Sequence, residues 1–404
     1  VYGNEYAMHF PWHRWPAAPD RRLSSLHSRL KSAGGQMGAY NGWERANWFA
    51  QEGDDTSEES THTWGRSGPW EQRIREECEA VRDGCGVLAI SGFTRLAVEG
   101  TGARAHVDKL TCSRLPAAGR VGLAYFPDSR GRILSEMSVI PRDDDNIWLI
   151  TAAVAQWHDR DILQQGLPEG LTVQDRSDKY ECLLVTGPKS REVLAPLTDA
   201  DLSLSWLSAQ EANVCGKPCV LLRVSFAGEL GWEVHCLSED APAIWDDITA
   251  AGAKPFGMWA LNSLRLEKGY RAWKGDLSTD YSLFEGGLER FVKLDKPQDF
   301  PGKAALLAEK QQGSKKRFVT LLVEAGDTDA PYMSCIYSGG AIVGETTSGG
   351  WGYRIGKSIA LGMVRADLAQ AGTELEVEIY GTRYKAVVQE DAPLWDASNE
   401  RLRA

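Results

Sequence analysis

Residues 256–303 read FGMWALNSLRLEKGYRAWKGDLSTDYSLFEGGLERFVKLDKPQDFPGK. A helix is expected from Leu261 to Tyr270, carrying Arg265 and Glu267, and a Glu285-Gly-Gly-Leu288 block and a Val292-Lys-Leu-Asp-Lys296 block follow it. Roughly 200 residues upstream stands Asn41-Gly-Trp-Glu-Arg-Ala-Asn-Trp-Phe49, dense in aromatic side chains. Both segments belong to a chain of 404 residues, too long for one ordinary core, so about two to three domains are expected.

Charged residues at 25% and hydrophobic ones at 43% are globular values. The net charge of −11 argues against nucleic acid or an acidic membrane surface as partner, because neutralising phosphates needs a basic face. A small anion held by a few local cations stays compatible with it. No run of 18 apolar residues is present, so no membrane span is expected. The chain starts at Val1 without a presequence pattern, which suggests processing or excision from something longer. Eight cysteines are too sparse for a disulfide scaffold, and Cys215 and Cys219 lack a second ligand pair for zinc. No metal is expected, and a reducing compartment is, cytoplasmic or the mitochondrial matrix in a eukaryote.

Residues 1–67 read as a loop-rich extension whose Trp12, Trp15, Trp43, Trp48 and Phe49 need a surface to cover them. Helical periodicity begins at Trp70 and stops at Gly84. Next comes an internal repeat: Leu96-Ala-Val-Glu-Gly100 through Arg104 to Leu110-Thr111 matches Leu183-Leu-Val-Thr-Gly187 through Arg191 to Leu197-Thr198, at a constant offset of 87 residues. Each copy reads as a buried strand, a glycine turn and an amphipathic helix. Gly100-Thr-Gly-Ala-Arg-Ala105 formally fits a dinucleotide fingerprint, but the repeat keeps the turn without the second glycine, so a strand-to-helix turn is the better reading. Beyond Gly313 short strands follow one another (318–324, 341–344, 358–364, 374–380 and 384–388), the texture of a small β-barrel or sandwich.

The 256–303 stretch and the Asn41–Phe49 block, in this order, resemble the glycine-cleavage T protein family, in the variant that forms the C-terminal half of dimethylglycine and sarcosine dehydrogenases. The resemblance covers nearly the whole chain. It implies an α+β fold of the three-domain cloverleaf type: two related α+β subdomains plus a small C-terminal β-barrel. Expected boundaries are 1–67 for the extension, 68–313 for the folate-binding core and 314–404 for the barrel. Leu261 stands where the T protein carries an Arg, which argues against a lipoyl-carrier partner and fits the dehydrogenase branch.

In Arg130-Gly-Arg-Ile-Leu-Ser-Glu136-Met-Ser-Val139, Leu134, Glu136 and Ser138 share one face of a strand and Ile133 and Ser135 the other. A carboxylate there needs a partner or a job. The resemblance places Glu136 beside the reactive folate nitrogen, as the catalytic acid or base; an ion pair with Arg130 or Arg132 is the bland alternative. In Arg223-Val-Ser-Phe-Ala-Gly-Glu229-Leu-Gly-Trp-Glu233 the resemblance gives Glu229 the pterin edge, a task suited to paired acceptors, and Phe226 an aromatic wall. Thr151 stands where the T protein has an Asn near its folate, and Tyr125 and Trp273 are candidates to stack on the pterin.

The activity the resemblance implies is tetrahydrofolate-dependent capture of the methylene group released by oxidative demethylation of a small N-methyl amine of the dimethylglycine or sarcosine type, forming 5,10-methylenetetrahydrofolate, with FAD carried only on a separate domain or partner oxidoreductase. Two other readings stand beside it. One is a stand-alone folate-dependent O-, S- or N-demethylase, recognised by a methyl rather than a methylene product; the other is a non-catalytic scaffold for a flavoprotein.

Overall fold

The computed structural model describes residues 10–12 and 22–404. Residues 26–49, read from composition as part of a loop-rich extension, form helix α1 (His27–Ser32) and a hairpin of β1 (Gly35–Tyr40) and β2 (Trp43–Phe49). Asn41 and Gly42 turn the hairpin with φ of 53° and 85°, a two-residue Asn-Gly signal that the composition reading passed over. Every residue of β2 is buried. Met37, Ala46 and Phe49 enter one core cluster and Trp48 another, each large side chain contributing roughly 1.5 to 3 kcal/mol of burial. Trp12 stacks 4.0 Å from the ring of Trp70. Trp15, also read as needing cover, lies outside the described residues.

Helix α2 (Trp70–Asp83) ends at Gly84 as expected. Its buried Glu77 accepts hydrogen bonds from the backbone N–H of Phe49 and of Gly257, both at 2.8 Å, tying the hairpin to the 256–303 stretch. There follow β3 (Gly86–Ala89), β4 (Thr94–Glu99), α3 (Ala103–Leu110), β5 (Gly122–Pro127), β6 (Ile133–Pro141), β7 (Asn146–Thr151), α4 (Gln156–Gln164) and β8 (Thr172–Asp175). The second copy comprises β9 (Tyr180–Thr186), α5 (Ser190–Leu194), β10 (Ala209–Val214), β11 (Lys217–Leu222), β12 (Gly231–Leu237), α6 (Ala241–Ala250) and the short β13 (Lys254–Pro255).

The 87-residue repeat holds to the level of single bonds. Arg104 donates to the carbonyl of Leu115 and Arg191 to that of Leu202; Thr111 Oγ1 accepts from the N–H of Ser113 and Thr198 Oγ1 from that of Ala200. Gly100 and Gly187 both make strand-to-helix turns. The sheets themselves run β5-β6-β7-β4-β8 and β10-β11-β12-β9-β3-β13. Thus β3, which precedes β4 in the chain, pairs with β9, while β8, which precedes β9, pairs with β4. The two subdomains exchange a strand, so neither sheet is complete without the other half of the chain.

Helix α7 (Met258–Glu267) joins this pair to the barrel, with α8 (Lys303–Gln312) ending at Gly313. Six strands close the barrel: β14 (Lys316–Val323), β15 (Cys335–Ser338), β16 (Ala341–Gly352), β17 (Lys357–Arg365), β18 (Glu374–Ile379) and β19 (Thr382–Val388), with β14 pairing both β17 and β19. Arg265 pairs with the buried Asp276 at 2.6 Å, and Asp276 accepts in turn from Thr347 and Ser348 of β16. Glu267 binds the backbone N–H and the guanidinium of Arg354. The two charged residues of α7 therefore fasten the barrel to the core. Among the described residues no helix is long and apolar enough to cross a membrane.

Candidate active site

Strands β5 and β6 pair antiparallel, and their register sets Tyr125 directly opposite Glu136. Along β6 buried and half-exposed residues alternate, Leu134, Glu136 and Ser138 being the half-exposed set. Glu136 is thus hemmed in by protein while keeping a partial opening to solvent. Burial raises its pKa to about 7, against the lowering effects of a hydrogen bond with Tyr125 and of the charge of Arg271. The buried Tyr125 hydroxyl is pushed well above its ordinary value, first by burial and then by the carboxylate beside it. The Tyr125 ring packs 4.9 Å from that of Phe291. Thr151, from β7, donates its hydroxyl to the Glu136 backbone carbonyl at 3.2 Å and so holds the strand rather than pointing a free hydroxyl outward.

Phe226 stacks on Tyr270, centroids 5.6 Å apart and planes at 26°. Tyr270 adjoins Arg271 in the loop after α7, and burial raises its pKa to about 12. Trp273 lies two residues further and packs against the cluster that contains Tyr125; its indole N–H is buried without a hydrogen-bond partner among the described residues. The fold therefore brings Glu136, Tyr125 and Thr151 into one group and sets Trp273 against the cluster that holds Tyr125, while Phe226 contacts Tyr270, the neighbour of Arg271. Arg271 and Tyr270 were not singled out from sequence; the signal was a cation between aromatic residues in Tyr270-Arg-Ala-Trp273.

Glu229 has a different setting from the one expected. It is fully buried, and both carboxylate oxygens are occupied: one accepts from Arg354 Nη1 and Trp395 Nε1, each at 2.8 Å, and the other from Arg401 Nε at 2.7 Å. These donors come from the barrel and the C-terminal segment, so the carboxylate pins both onto the second subdomain. A pterin edge offering N–H groups would find these positions taken. Four residues on, Glu233 is bound at 3.1 Å by His235 Nε2 and by no other donor among the described residues.

Glu233 and Glu136 both face the space between the two sheets. Glu136 shares its face with Ser138, Ser138 pairs with Ile150, and Ile150 pairs with Arg95. The buried Arg95 donates to Nδ1 of His235, which shares a face with Glu233. Ligand atoms of Cys182, Glu233 and His235 lie within 4.8 Å of one another. The guanidinium beside them fixes the proton on His235 Nε2 and repels a cation, so the group reads as a hydrogen-bond chain. Two surface clefts of about 340 and 570 Å³, lined around Phe300 and around Gly84, contain none of these residues.

Comparison with known proteins agrees with this architecture. Residues 26–296 match the GCVT N-terminal domain and residues 316–396 the glycine cleavage T-protein C-terminal barrel domain. The chain belongs to the glycine cleavage T-protein family, the aminomethyltransferase class of enzymes. It is 34% identical over 401 residues to mitochondrial dimethylglycine dehydrogenase of Mus musculus, covering 96% of this chain and 46% of that protein. It is 31% identical over 335 residues to aminomethyltransferase of Geobacillus kaustophilus, covering 79% of this chain and 91% of that one. The chain thus spans about half the length of the dehydrogenases it matches. In fold it resembles the crystal structure of glycine cleavage system aminomethyltransferase T from Bartonella henselae, with a TM-score of 0.81, 21% identity and 94% and 99% of the two chains covered.

Proposed function

We propose that this chain transfers a one-carbon unit to tetrahydrofolate, capturing the methylene group left by oxidative demethylation of a small N-methyl amine and yielding 5,10-methylenetetrahydrofolate. The supporting observation is the Glu136–Tyr125 pair: a half-open carboxyl with a pKa of about 7, poised to exchange a proton near neutrality, in the scaffold of an aminomethyltransferase. Both folate nitrogens would give up their N–H protons and bond to the methylene carbon of the iminium as its C–N bond breaks, a step without net oxidation in which the two protons leave with the amine as an ammonium.

The residues fit such a guest through aromatic walls and a carboxylate with spare capacity. Glu136 would accept or return the proton and, when ionised, stabilise cationic charge on the reacting nitrogen. Tyr125 orients it, and Thr151 steadies its strand. Phe226 would border the pterin with Tyr270, and Trp273 would offer its unpaired N–H or its face. The pterin-edge role first expected of Glu229 is better assigned to Glu233, whose carboxylate is not saturated. Oxidation of the amine is assigned to an FAD-dependent domain or partner.

Calorimetric titration of the chain with tetrahydrofolate tests this reading: one site is expected, with no flavin copurifying. Failure to bind reduced folate, or stoichiometric FAD in the isolated chain, would refute it.

A further inference from the structure

Arg271 sits in the loop between α7 and the Glu285-Gly-Gly-Leu288 block, its guanidinium carbon 4.1 Å from the centroid of the Phe318 ring. Its Nε is buried with no acceptor, and no carboxylate pairs with the guanidinium among the described residues. Of the carboxylates whose charge reaches it, Asp276 is already committed to Arg265, Thr347 and Ser348, and Asp391 forms no ion pair with it. Trp273, two residues on, likewise buries an indole N–H without an acceptor. Leaving a buried donor unpaired is costly, and more so when it is charged. One loop holding two such donors is organised for an acceptor that the protein itself does not supply. The charge of Arg271 reaches both Tyr125 and Glu136.

We propose that Arg271 is a carboxylate anchor, holding the carboxylate of an amino-acid-type methylene donor beside Glu136. A planar guanidinium binds a carboxylate through two parallel hydrogen bonds, a geometry that a lysine cannot offer. The inference rests on the one-carbon-transfer reading above and assigns to Arg271 the discrimination between N-methyl amino acids of the dimethylglycine type and simple methylamines. The other source of a carboxylate at this site is the glutamyl part of folate.

The test uses calorimetric titration of the whole chain and of the Arg271→Gln and Arg271→Lys variants. With tetrahydrofolate present, wild type should bind N-methylglycine about tenfold to a hundredfold more tightly than N-methylglycinamide. Arg271→Gln should erase that preference, and Arg271→Lys, which keeps the charge without the fork, should retain part of it. Tetrahydrofolate and tetrahydropteroate, which lacks the glutamate, should be affected equally by either variant. If Arg271→Gln instead erases a preference for tetrahydrofolate over tetrahydropteroate and leaves the amine series unchanged, the donor assignment is overturned in favour of folate's own carboxylate. If it moves neither series, Arg271 is no anchor. Should Arg271→Gln fail to fold, an unchanged amine preference in Arg271→Lys overturns the proposal. Loss of the underlying one-carbon reading would show separately, as wild type failing to bind tetrahydrofolate at all.

Discussion

Tyr125 and Glu136 stand directly opposite each other on the paired strands β5 and β6, and the carboxylate pushes the buried phenol's pKa further up. Two groups on adjacent paired strands cannot drift apart without breaking the register. The Glu136 carboxyl is therefore held by the sheet rather than by a loop.

Glu136→Gln separates chemistry from binding. With the carboxyl's pKa at about 7, the wild-type transfer rate should rise as pH passes through 7 and level off above it. The Gln variant should lose that step and slow by about 10²–10⁴-fold, while tetrahydrofolate affinity stays within a few-fold. Rate–pH profiles paired with calorimetry decide it; an unchanged profile removes Glu136 from the chemistry.

Tyr125→Phe acts on the same titration. The lost hydrogen bond favoured the ionised carboxyl, so the midpoint of the rate–pH curve should move above 7. A downward move would show that the phenol instead accepts from the protonated acid.

Stability should carry the mark of the same group. Because folding raises the Glu136 pKa from 4.5 to about 7, the folded chain binds more protons than the unfolded one between these values, and its stability falls as pH rises across that window. A Gln carries no such cost. The Tm gain of Glu136→Gln over wild type should therefore be larger at pH 8 than at pH 5, by calorimetric scanning at both.

Glu229→Ala leaves Arg354 and Arg401 without their shared carboxylate. Breaking a buried pair by removing one partner costs about 3–5 kcal/mol, and the C-terminal segment around Trp395 should become accessible to protease. Urea unfolding and timed proteolysis report both. A loss of folate affinity with the segment still protected would return Glu229 to the pterin.

Trp48→Ala probes the hairpin. This side chain is buried against the α2 and α7 cluster, and its truncation should cost about 3–5 kcal/mol. A change below 1 kcal/mol in urea unfolding would mean that β2 is peripheral.

What the sequence determined by itself is what repeats or alternates within a short span. The 87-residue offset, the glycine turns at Gly100 and Gly187, the alternation around Glu136 and the strand texture after Gly313 are local patterns, and each reappears in the folded chain. Tertiary structure alone decided that β3 and β8 change places between the sheets, that Arg354 and Arg401 saturate Glu229 from 125 and 172 residues away, and that Glu233 comes to face the same space as Glu136. Strand exchange leaves no mark in periodicity, since a strand reads alike whichever sheet receives it. A carboxylate in a hairpin likewise reads alike whether it awaits a ligand or has already met two guanidinium groups, because the partners that settle its task are brought to it only by the packing of the barrel and the C-terminal segment.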